Sequence, residues 1–237
     1  MTSLSGAITV AGQALFSSSA YKAHNLGELV FTNDGRAFRY AKAGGTALVP
    51  GKLQQASAEV TADQDVAIAA AAIGATQIVT TGTLTVTANQ YAEGWAIVCD
   101  DTGEGYQYKI KGHAAATAAT VTFNLEDSII IALTTSSTID FVANPNSAVI
   151  VNPASASSAP IGVAVYAVVA AEFGWLQVGG VATILNDGGS TVGTNVSASN
   201  ATAGAVEAAV TAQAAIGVAV TGVATTEYGA VKLFGLL

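Results

Sequence analysis

The sequence has few residues of the types that carry catalytic or metal chemistry. Its 237 residues include one cysteine and two histidines, and 10% are charged, against about a quarter in an average soluble domain. A single cysteine permits no intramolecular disulfide, so the sequence does not indicate an oxidising compartment. Because Cys99 follows the apolar run 95–98, we expect a buried, unreactive thiol rather than a nucleophile.

The motifs of common active sites are also missing from the sequence. His24 and His113 lie in unrelated stretches without a His, Cys or carboxylate partner at ligand spacing, which favours structural or solvated roles. There is no Gly-x-Ser-x-Gly elbow, and no glycine cluster ends in Gly-Lys-Ser/Thr or opens a helix as a dinucleotide fingerprint does. We therefore predict no catalytic, cofactor-binding or metal-binding residues and no enzymatic activity.

One acidic segment leaves an alternative open. The sequence DDTGEG at 100–105 places Asp100, Asp101 and Glu104 within five positions. Oxygen ligands at this density suit Ca²⁺, but the late Glu of an EF-hand loop is absent, and a glycine-rich hairpin loop explains the segment as well. The same three carboxylates are the groups to test if the chain is a glycan-acting enzyme.

Positive charge is scarce and scattered. The chain has 16 acidic and 8 basic residues and a formal net charge of −8, so it is not suited to binding nucleic acid through phosphates. Arg36, Arg39, Lys42 and Lys52 form a loose group that we interpret as solubilising or interface charges. The N-terminus lacks the charged region of a secretory signal, and the longest apolar candidate, 203–224, is too polar for a membrane span.

A twenty-residue block occurs twice. Residues 161–180 read IGVAVYAVVAAEFGWLQVGG, residues 216–235 read IGVAVTGVATTEYGAVKLFG, and 9 of the 20 positions are identical. Each copy is an apolar run, a spacer and a second apolar run, which is typical of a β-hairpin. The repeat therefore consists of residues that form and pack a β-hairpin, without a set of catalytic or metal-binding groups.

Short β-branched runs separated by turn residues follow at intervals of about ten residues, which predicts a mainly β fold of sandwich or barrel domains with little helix. For residues 61–75 a short helix and an extended segment stay open. The predicted strands are 29–31, 37–40, 77–80, 84–87, 95–99, 106–111, 120–123, 129–133, 139–142 and 148–151.

Composition divides the chain into four parts. We predict an N-terminal arm at 1–20, a β unit at 21–55, a β domain at 56–152 and a C-terminal β unit with the internal repeat at 153–237, after the linker NPASASSAP. The second part and the repeats could share one sheet system. The apolar residues 231–237 are expected to be docked, on this subunit or on a neighbour.

The aromatic residues of the predicted strands are expected to pack in the core or at a subunit interface, with a sugar-stacking platform as the alternative. These residues are Trp95, Tyr106, Tyr108, Phe173, Trp175, Tyr228 and Phe234.

Several segments resemble structural proteins of tailed bacteriophages. The stretch YKAHNLGELVFTNDGRAFRYAKAGGTALVPG resembles their opening segment, TANQYAEGWAIVCDDTGEGYQYKIKGH and VANPNSAVIVNP resemble their middle domain, and the last part resembles phage capsid decoration (cement) proteins. The resemblance covers most of the chain, and it is carried by the order of the segments.

The resemblance implies a virion protein on the capsid exterior, synthesised in the host cytoplasm. It implies a homo-oligomer, commonly a trimer, that contacts the major capsid protein and stabilises the shell without a cofactor, a membrane or nucleic acid. A tail, baseplate or fibre component is the main alternative, and a glycan-acting enzyme is a further one.

Overall fold

The computed structural model describes residues 9–10, 12–210 and 213–236. Within these residues the chain forms short strands and one 3₁₀ turn at Thr61–Asp63, with no α-helix, and the predicted mainly β fold is confirmed. The chain divides into two compact units. Unit 1 comprises Met1–Ala58 and Pro145–Leu237, and unit 2 comprises Glu59–Asn144.

The strands in chain order are β1 (Thr9–Val10), β2 (Gln13–Ala14), β3 (Leu29–Phe31), β4 (Ala37–Lys42), β5 (Leu53–Gln55), β6 (Val66–Ala67), β7 (Gln77–Val79), β8 (Leu84–Val86), β9 (Trp95–Asp100), β10 (Gln107–His113), β11 (Ala116–Ala119), β12 (Thr122–Leu125), β13 (Thr138–Val142), β14 (Ile150–Val151), β15 (Pro160–Ala164), β16 (Phe173–Leu185), β17 (Asn195–Ala198), β18 (Val206–Ala208), β19 (Gly217–Ala219) and β20 (Tyr228–Phe234).

Unit 2 is a curled antiparallel sheet in the order β6-β13-β9-β10-β12-β7, with a small second sheet of β8 and β11. Ile68, directly after β6, and Thr80, directly after β7, form an isolated β-bridge that links the segments following these two outermost strands. Alternate residues of these strands, with their bulky apolar side chains, point into one core that includes Phe123 and Phe141.

Unit 2 departs from some of the predicted strands and resolves the alternative that the sequence left open. The apolar run 129–133 is not a strand. Ile129 and Leu133 each form isolated backbone hydrogen bonds with the 71–75 segment, and their side chains are buried. The open alternative at 61–75 resolves into the 3₁₀ turn followed by the short extended β6. The strand predicted at 120–123 lies at Thr122–Leu125, and β11 was not predicted.

The twenty-residue repeat is a duplicated β-hairpin in unit 1, as predicted. In the first copy Val163 pairs with Gln177 and Ala164 with Leu176. In the second copy the corresponding pairs are Val218 with Lys232 and Ala219 with Val231. The two hairpins therefore have the same register as well as the same sequence pattern.

The duplication is larger than the sequence indicated. The main sheet of unit 1 runs β14-β5-β15-β16-β20-β19-β17-β18, which reads as one four-strand group followed by the same group in reverse. Each strand of the first group has a counterpart in the second: β5 corresponds to β17, β14 to β18, β15 to β19 and β16 to β20. In both groups the chain passes through these strands in the same order.

A fifth strand belongs to each repeat, and β16 is shared between them. β4 pairs with the first half of β16 from Lys42–Phe173 to Ala37–Gly179. The second half of β16 pairs with β20 in the same way, from Leu185–Tyr228 to Gly180–Leu233. Gly180 sits at the junction with a φ of 79°, a conformation that glycine adopts without strain.

Unit 2 is inserted into the first repeat. In the second repeat, residues 199–205 connect β17 to β18 directly. In the first repeat, the equivalent connection from β5 to β14 contains the whole of unit 2. The cores of the two repeats otherwise correspond, with Ile161, Ala164 and Leu176 of the first matched by Ile216, Ala219 and Val231 of the second.

The predicted arm at 1–20 lies partly outside the described residues. Its described part forms β1 and β2 and then buries Leu15 completely. At the other end, Leu233 is buried and Leu236 packs against the core of the second repeat, whereas Leu237 lies outside the described residues.

Candidate functional site

The acidic segment 100–105 is the loop that joins β9 to β10. Asp101 has a φ of 63°, and its carboxylate accepts bonds from the backbone N–H and the hydroxyl of Thr102. The Asp100 carboxylate accepts the N–H of Asp101. Gly103 has a positive φ, and a Cβ there would lie 2.6 Å from Leu133. The carboxylates of Asp100 and Asp101 therefore accept hydrogen bonds from within the loop. The described residues contain no group of three His, Cys, Asp or Glu arranged to hold a metal.

Cys99 is a partly buried thiol on β9, and its Sγ lies 3.2 Å from Thr138 Oγ1. Burial raises the pKa of the Cys99 thiol above its usual value, and the nearby Asp140 carboxylate raises this pKa further. The thiol is therefore protonated at neutral pH, which is opposite to the activation that a nucleophilic cysteine needs.

His113 is a buried structural histidine in unit 2. Its Nε2 accepts the backbone N–H of Tyr91 at 3.1 Å, and its Nδ1 lies 2.9 Å from the Ala114 carbonyl oxygen, which requires the proton on Nδ1. Burial lowers the pKa of His113, so the ring is neutral at pH 7. Tyr91 also donates its hydroxyl to the buried Asp63 carboxylate, and burial raises the pKa of Tyr91.

A polar groove of about 560 Å³ lies beside His113, and its walls include Asn89, Lys111, Asn124 and Glu126. Its two amides are already engaged within the fold. Asn89 accepts the N–H of His113, and Asn124 donates to the Gly112 carbonyl and accepts from Gln77. This groove offers no pre-aligned set of reactive groups.

His24 has a carboxylate partner, contrary to the prediction from sequence. Its Nδ1 lies 3.0 Å from Glu28 Oε1, four residues further along the chain. The ring packs against Tyr40 and Trp175, with centroids 5.1 and 5.0 Å away. Its role is still structural, because these contacts place it inside an aromatic cluster.

The four basic residues near the N-terminus do not form a joint binding patch. Arg36 pairs with Asp34 at 2.8 Å, and Arg39 donates to the Gly27 carbonyl. Lys42 lies over the Phe173 ring at 5.5 Å, and Lys52 packs its aliphatic stem beside Gly204. Each is explained by a local contact, in agreement with their interpretation as isolated charges.

One face of the first repeat is covered. Phe38, Tyr40 and Trp175 are buried there, with Phe173 at the margin, beneath Leu15, Leu26 and Val30 from residues 12–31. We call this the covered face. Polar bonds fasten the cover: Gln13 accepts from the Tyr40 hydroxyl and donates to the Phe173 carbonyl, and Ser19 exchanges two backbone bonds with Phe173.

The equivalent face of the second repeat has no such cover among the described residues. The pairing places Val181 at the position of Phe38, Thr183 at that of Tyr40, Tyr228 at that of Phe173 and Ala230 at that of Trp175. Val181 and Tyr228 are each 50% exposed, whereas Phe38 and Tyr40 are completely buried. We call this second surface the bare face.

A groove of about 400 Å³ borders the bare face. Its walls include Val181, Thr183 and Tyr228 of the second repeat and Phe16, Pro50 and Val165 of the first. The wall side chains are mostly apolar, and three of them, Phe16, Val181 and Tyr228, are about half exposed. Exposed apolar side chains gathered in one groove are the usual mark of an interaction surface. This groove is the candidate functional site.

The predicted aromatic residues separate into two groups. Trp175 and Tyr108 lie in hydrophobic cores and Phe173 packs against the Trp175 cluster, which confirms core packing for these three, whereas Trp95 is only partly buried. Tyr106, Tyr228 and Phe234 are exposed. Sequence reasoning placed Tyr228 on a strand but did not identify the bare face, because burial of this face depends on whether another segment crosses it.

Comparison with known proteins adds no relative: no family model, curated protein or solved structure matches the chain. Within the described residues no helix is long and apolar enough to cross a membrane.

Proposed function

We propose that this chain is a structural virion protein that binds the outer surface of a phage capsid and stabilises the shell as a decoration oligomer. The proposal rests on the resemblance of several segments to phage structural proteins and on one structural observation, the bare face of the second repeat. This surface offers contact area and an open strand edge to another protein.

The electrostatics support a contact role on the outside of a particle. The net charge of −8 disfavours approach to packaged nucleic acid. The basic residues of the N-terminal region are engaged locally, as described above.

The test is to add the purified chain to capsids of its own phage that lack it. We expect density on the outer surface of the shell in cryo-electron microscopy, and a higher temperature of genome release after binding. An equal amount of the variant Val181→Lys, which places a charge on the bare face, should give weaker density and a smaller rise in the release temperature. Density confined to the tail or baseplate, or absence of the chain from virions, would contradict the proposal.

The enzymatic alternative has its own readout. Host polysaccharide is incubated with the wild-type chain and with the triple variant Asp100→Asn, Asp101→Asn and Glu104→Gln. We expect no depolymerisation by either protein. Cleavage that the wild type performs and the triple variant does not would favour a glycan-acting enzyme instead.

A further inference from the structure

The second half of β16 has an open strand edge. On β20, the N–H of Phe234 bonds to Ile216 and the carbonyl of Ala230 accepts from Val220, so the even-numbered residues face β19. Gly229, Val231 and Leu233 consequently face β16, where they pair with Ile184, Ala182 and Gly180. The odd-numbered residues of β16 therefore point their backbone groups to the opposite edge.

That opposite edge is occupied only at its two ends among the described residues. The N–H of Leu185 donates to the Gly51 carbonyl, and the Val181 carbonyl accepts from the Gln177 side chain. Between them, the N–H of Val181 and both backbone groups of Thr183 have no partner within the described part of the chain. Unpaired strand edges of this kind accept another strand.

The first repeat shows what fits such an edge. Tyr40, the counterpart of Thr183, receives a bond from Gly27 and donates to the Glu28 carbonyl. Phe38, the counterpart of Val181, pairs with Val30 on β3. The strand that fills the edge also brings Val30 over the covered face. An extended segment that supplies backbone hydrogen bonds and brings an apolar side chain such as Val30 to this face is therefore what the position recognises.

The chain itself carries such a segment in β3, whose outer edge is unoccupied among the described residues. Because Glu28 and Val30 face β4, the intervening Leu29 and the following Phe31 direct their backbone groups away from it. Phe31 is 68% exposed, although it is a large aromatic residue on a strand. The outer edge of β3 and the edge at Val181–Thr183 are thus two different, complementary surfaces on one molecule.

We propose that β3 of a second copy of this chain adds to the open edge at Val181–Thr183, and that its apolar side chains cover the bare face. Because the two surfaces differ, the contact is head-to-tail. In a pair, one copy keeps its Val181–Thr183 edge free and the other keeps its β3 edge free, so further copies add until a ring closes. The inference rests on the proposed function only in that both involve a homo-oligomer.

Two proline variants test the contact from its two sides. Thr183→Pro and Phe31→Pro each remove an outward-facing N–H that has no partner among the described residues, so the pairing of β16 with β20 and of β3 with β4 stays intact. In native mass spectrometry and sedimentation velocity, we expect the wild type to form oligomers and each variant to be monomeric, with self-association weakened at least tenfold. A one-to-one mixture of the two variants should form a dimer, since each supplies the edge that the other lacks.

Matched variants guard against loss of folding. Val181→Lys and Phe31→Lys place a charge at the same two edges without proline, and Ile73→Lys changes an exposed apolar residue of unit 2. We expect the first two to dissociate and Ile73→Lys to remain oligomeric, all three with the near-ultraviolet circular dichroism of the wild type. A monomeric wild type, oligomers that survive both edge changes, or a mixture that stays monomeric would each overturn the proposal.

The outcome is distinguishable from that of the proposed function. A chain that decorates capsids as a monomer contradicts the edge contact and the oligomeric part of the proposed function, and it leaves capsid binding in place. A chain that oligomerises through these edges but does not bind capsids contradicts the function and leaves the contact in place.

Discussion

At the scale of single residues, the titratable groups of the interior belong to the fold. Tyr91, Asp63 and His113 form one chain of contacts in unit 2, in which Tyr91 donates its hydroxyl to Asp63 and its backbone N–H to His113. Each of these three residue types also occurs in active sites. Together they satisfy each other's hydrogen bonds, which is what burial of polar groups requires.

Removal of the Tyr91 hydroxyl should destabilise the protein. In Tyr91→Phe the Asp63 carboxylate, which is 2% exposed, loses its donor, and an unsatisfied buried group of this kind costs about 1–3 kcal/mol. Urea unfolding should show this loss. The control Tyr106→Phe alters an exposed tyrosine and should stay within about 0.5 kcal/mol of the wild type. Equal stabilities for the two variants would contradict the structural role of the Tyr91 hydroxyl.

His113 should make stability fall on acidification. Burial lowers its pKa in the folded state, so below the ordinary histidine pKa of 6.5 the unfolded chain binds a proton that the folded chain does not. Its contribution is therefore complete above pH 6.5 and is lost progressively as the pH falls below that value and through the lowered pKa of the folded state. Unfolding free energies measured between pH 7.5 and about pH 5 should decline more steeply for the wild type than for His113→Gln. Parallel profiles would count against this origin.

At the scale of elements, the two hairpins require glycine at the same place. Gly162 and Gly217 occupy equivalent positions, and a Cβ would lie 3.0 Å from Leu176 Cβ in the first copy and 2.6 Å from the Lys232 carbonyl oxygen in the second. The partner strand approaches so closely that neither position accommodates a side chain. The two copies therefore share a position that only glycine fits, in addition to their apolar pattern.

Alanine at either glycine should lower the unfolding free energy, because a Cβ would lie too close to the partner strand in both copies and Gly162 also has a φ of 158°. We expect losses of about 1–3 kcal/mol, the range for overpacked sites. Gly45→Ala is the control, since nothing lies within 4 Å of its Cβ position and its φ is not positive. Thermal unfolding measures these losses. A Gly45→Ala variant as unstable as Gly162→Ala and Gly217→Ala would be inconsistent with the steric explanation.

At the scale of the whole molecule, unit 2 is an insertion in a duplicated sheet. The second repeat shows that a direct connection by residues 199–205 suffices between strands equivalent to β5 and β14. Each unit also has its own hydrophobic core. The two repeats should therefore fold without the insertion.

Deletion of residues 59–144 should leave a folded protein. The shortened chain keeps Trp175 and loses Trp95, so tryptophan fluorescence reports the aromatic cluster of the covered face alone. We expect blue-shifted emission, β-type far-ultraviolet circular dichroism and a cooperative thermal transition. An aggregated chain, or one with the emission of exposed tryptophan, would show that the repeated sheet depends on unit 2.

Much of the fold was accessible from local sequence pattern. Alternation and turn residues located most strands, and the identity between residues 161–180 and 216–235 located both hairpins, because strand formation and tight turns depend on neighbouring residues. The run 129–133 was misassigned for a related reason. An apolar pattern indicates burial, and burial does not require a paired strand.

The β character and the hairpin repeat follow from the sequence because strands and tight turns depend on neighbouring residues, and the scarcity of reactive groups follows from composition. The extension of the repeat to β4, β5 and β14 and their counterparts is visible only in the fold, because those strands share little sequence and match through their pairing partners. The fold also shows that the equivalent sheet face is covered in the first repeat and bare in the second. That difference arises from where residues 12–31 cross the sheet, which depends on contacts between segments more than a hundred residues apart.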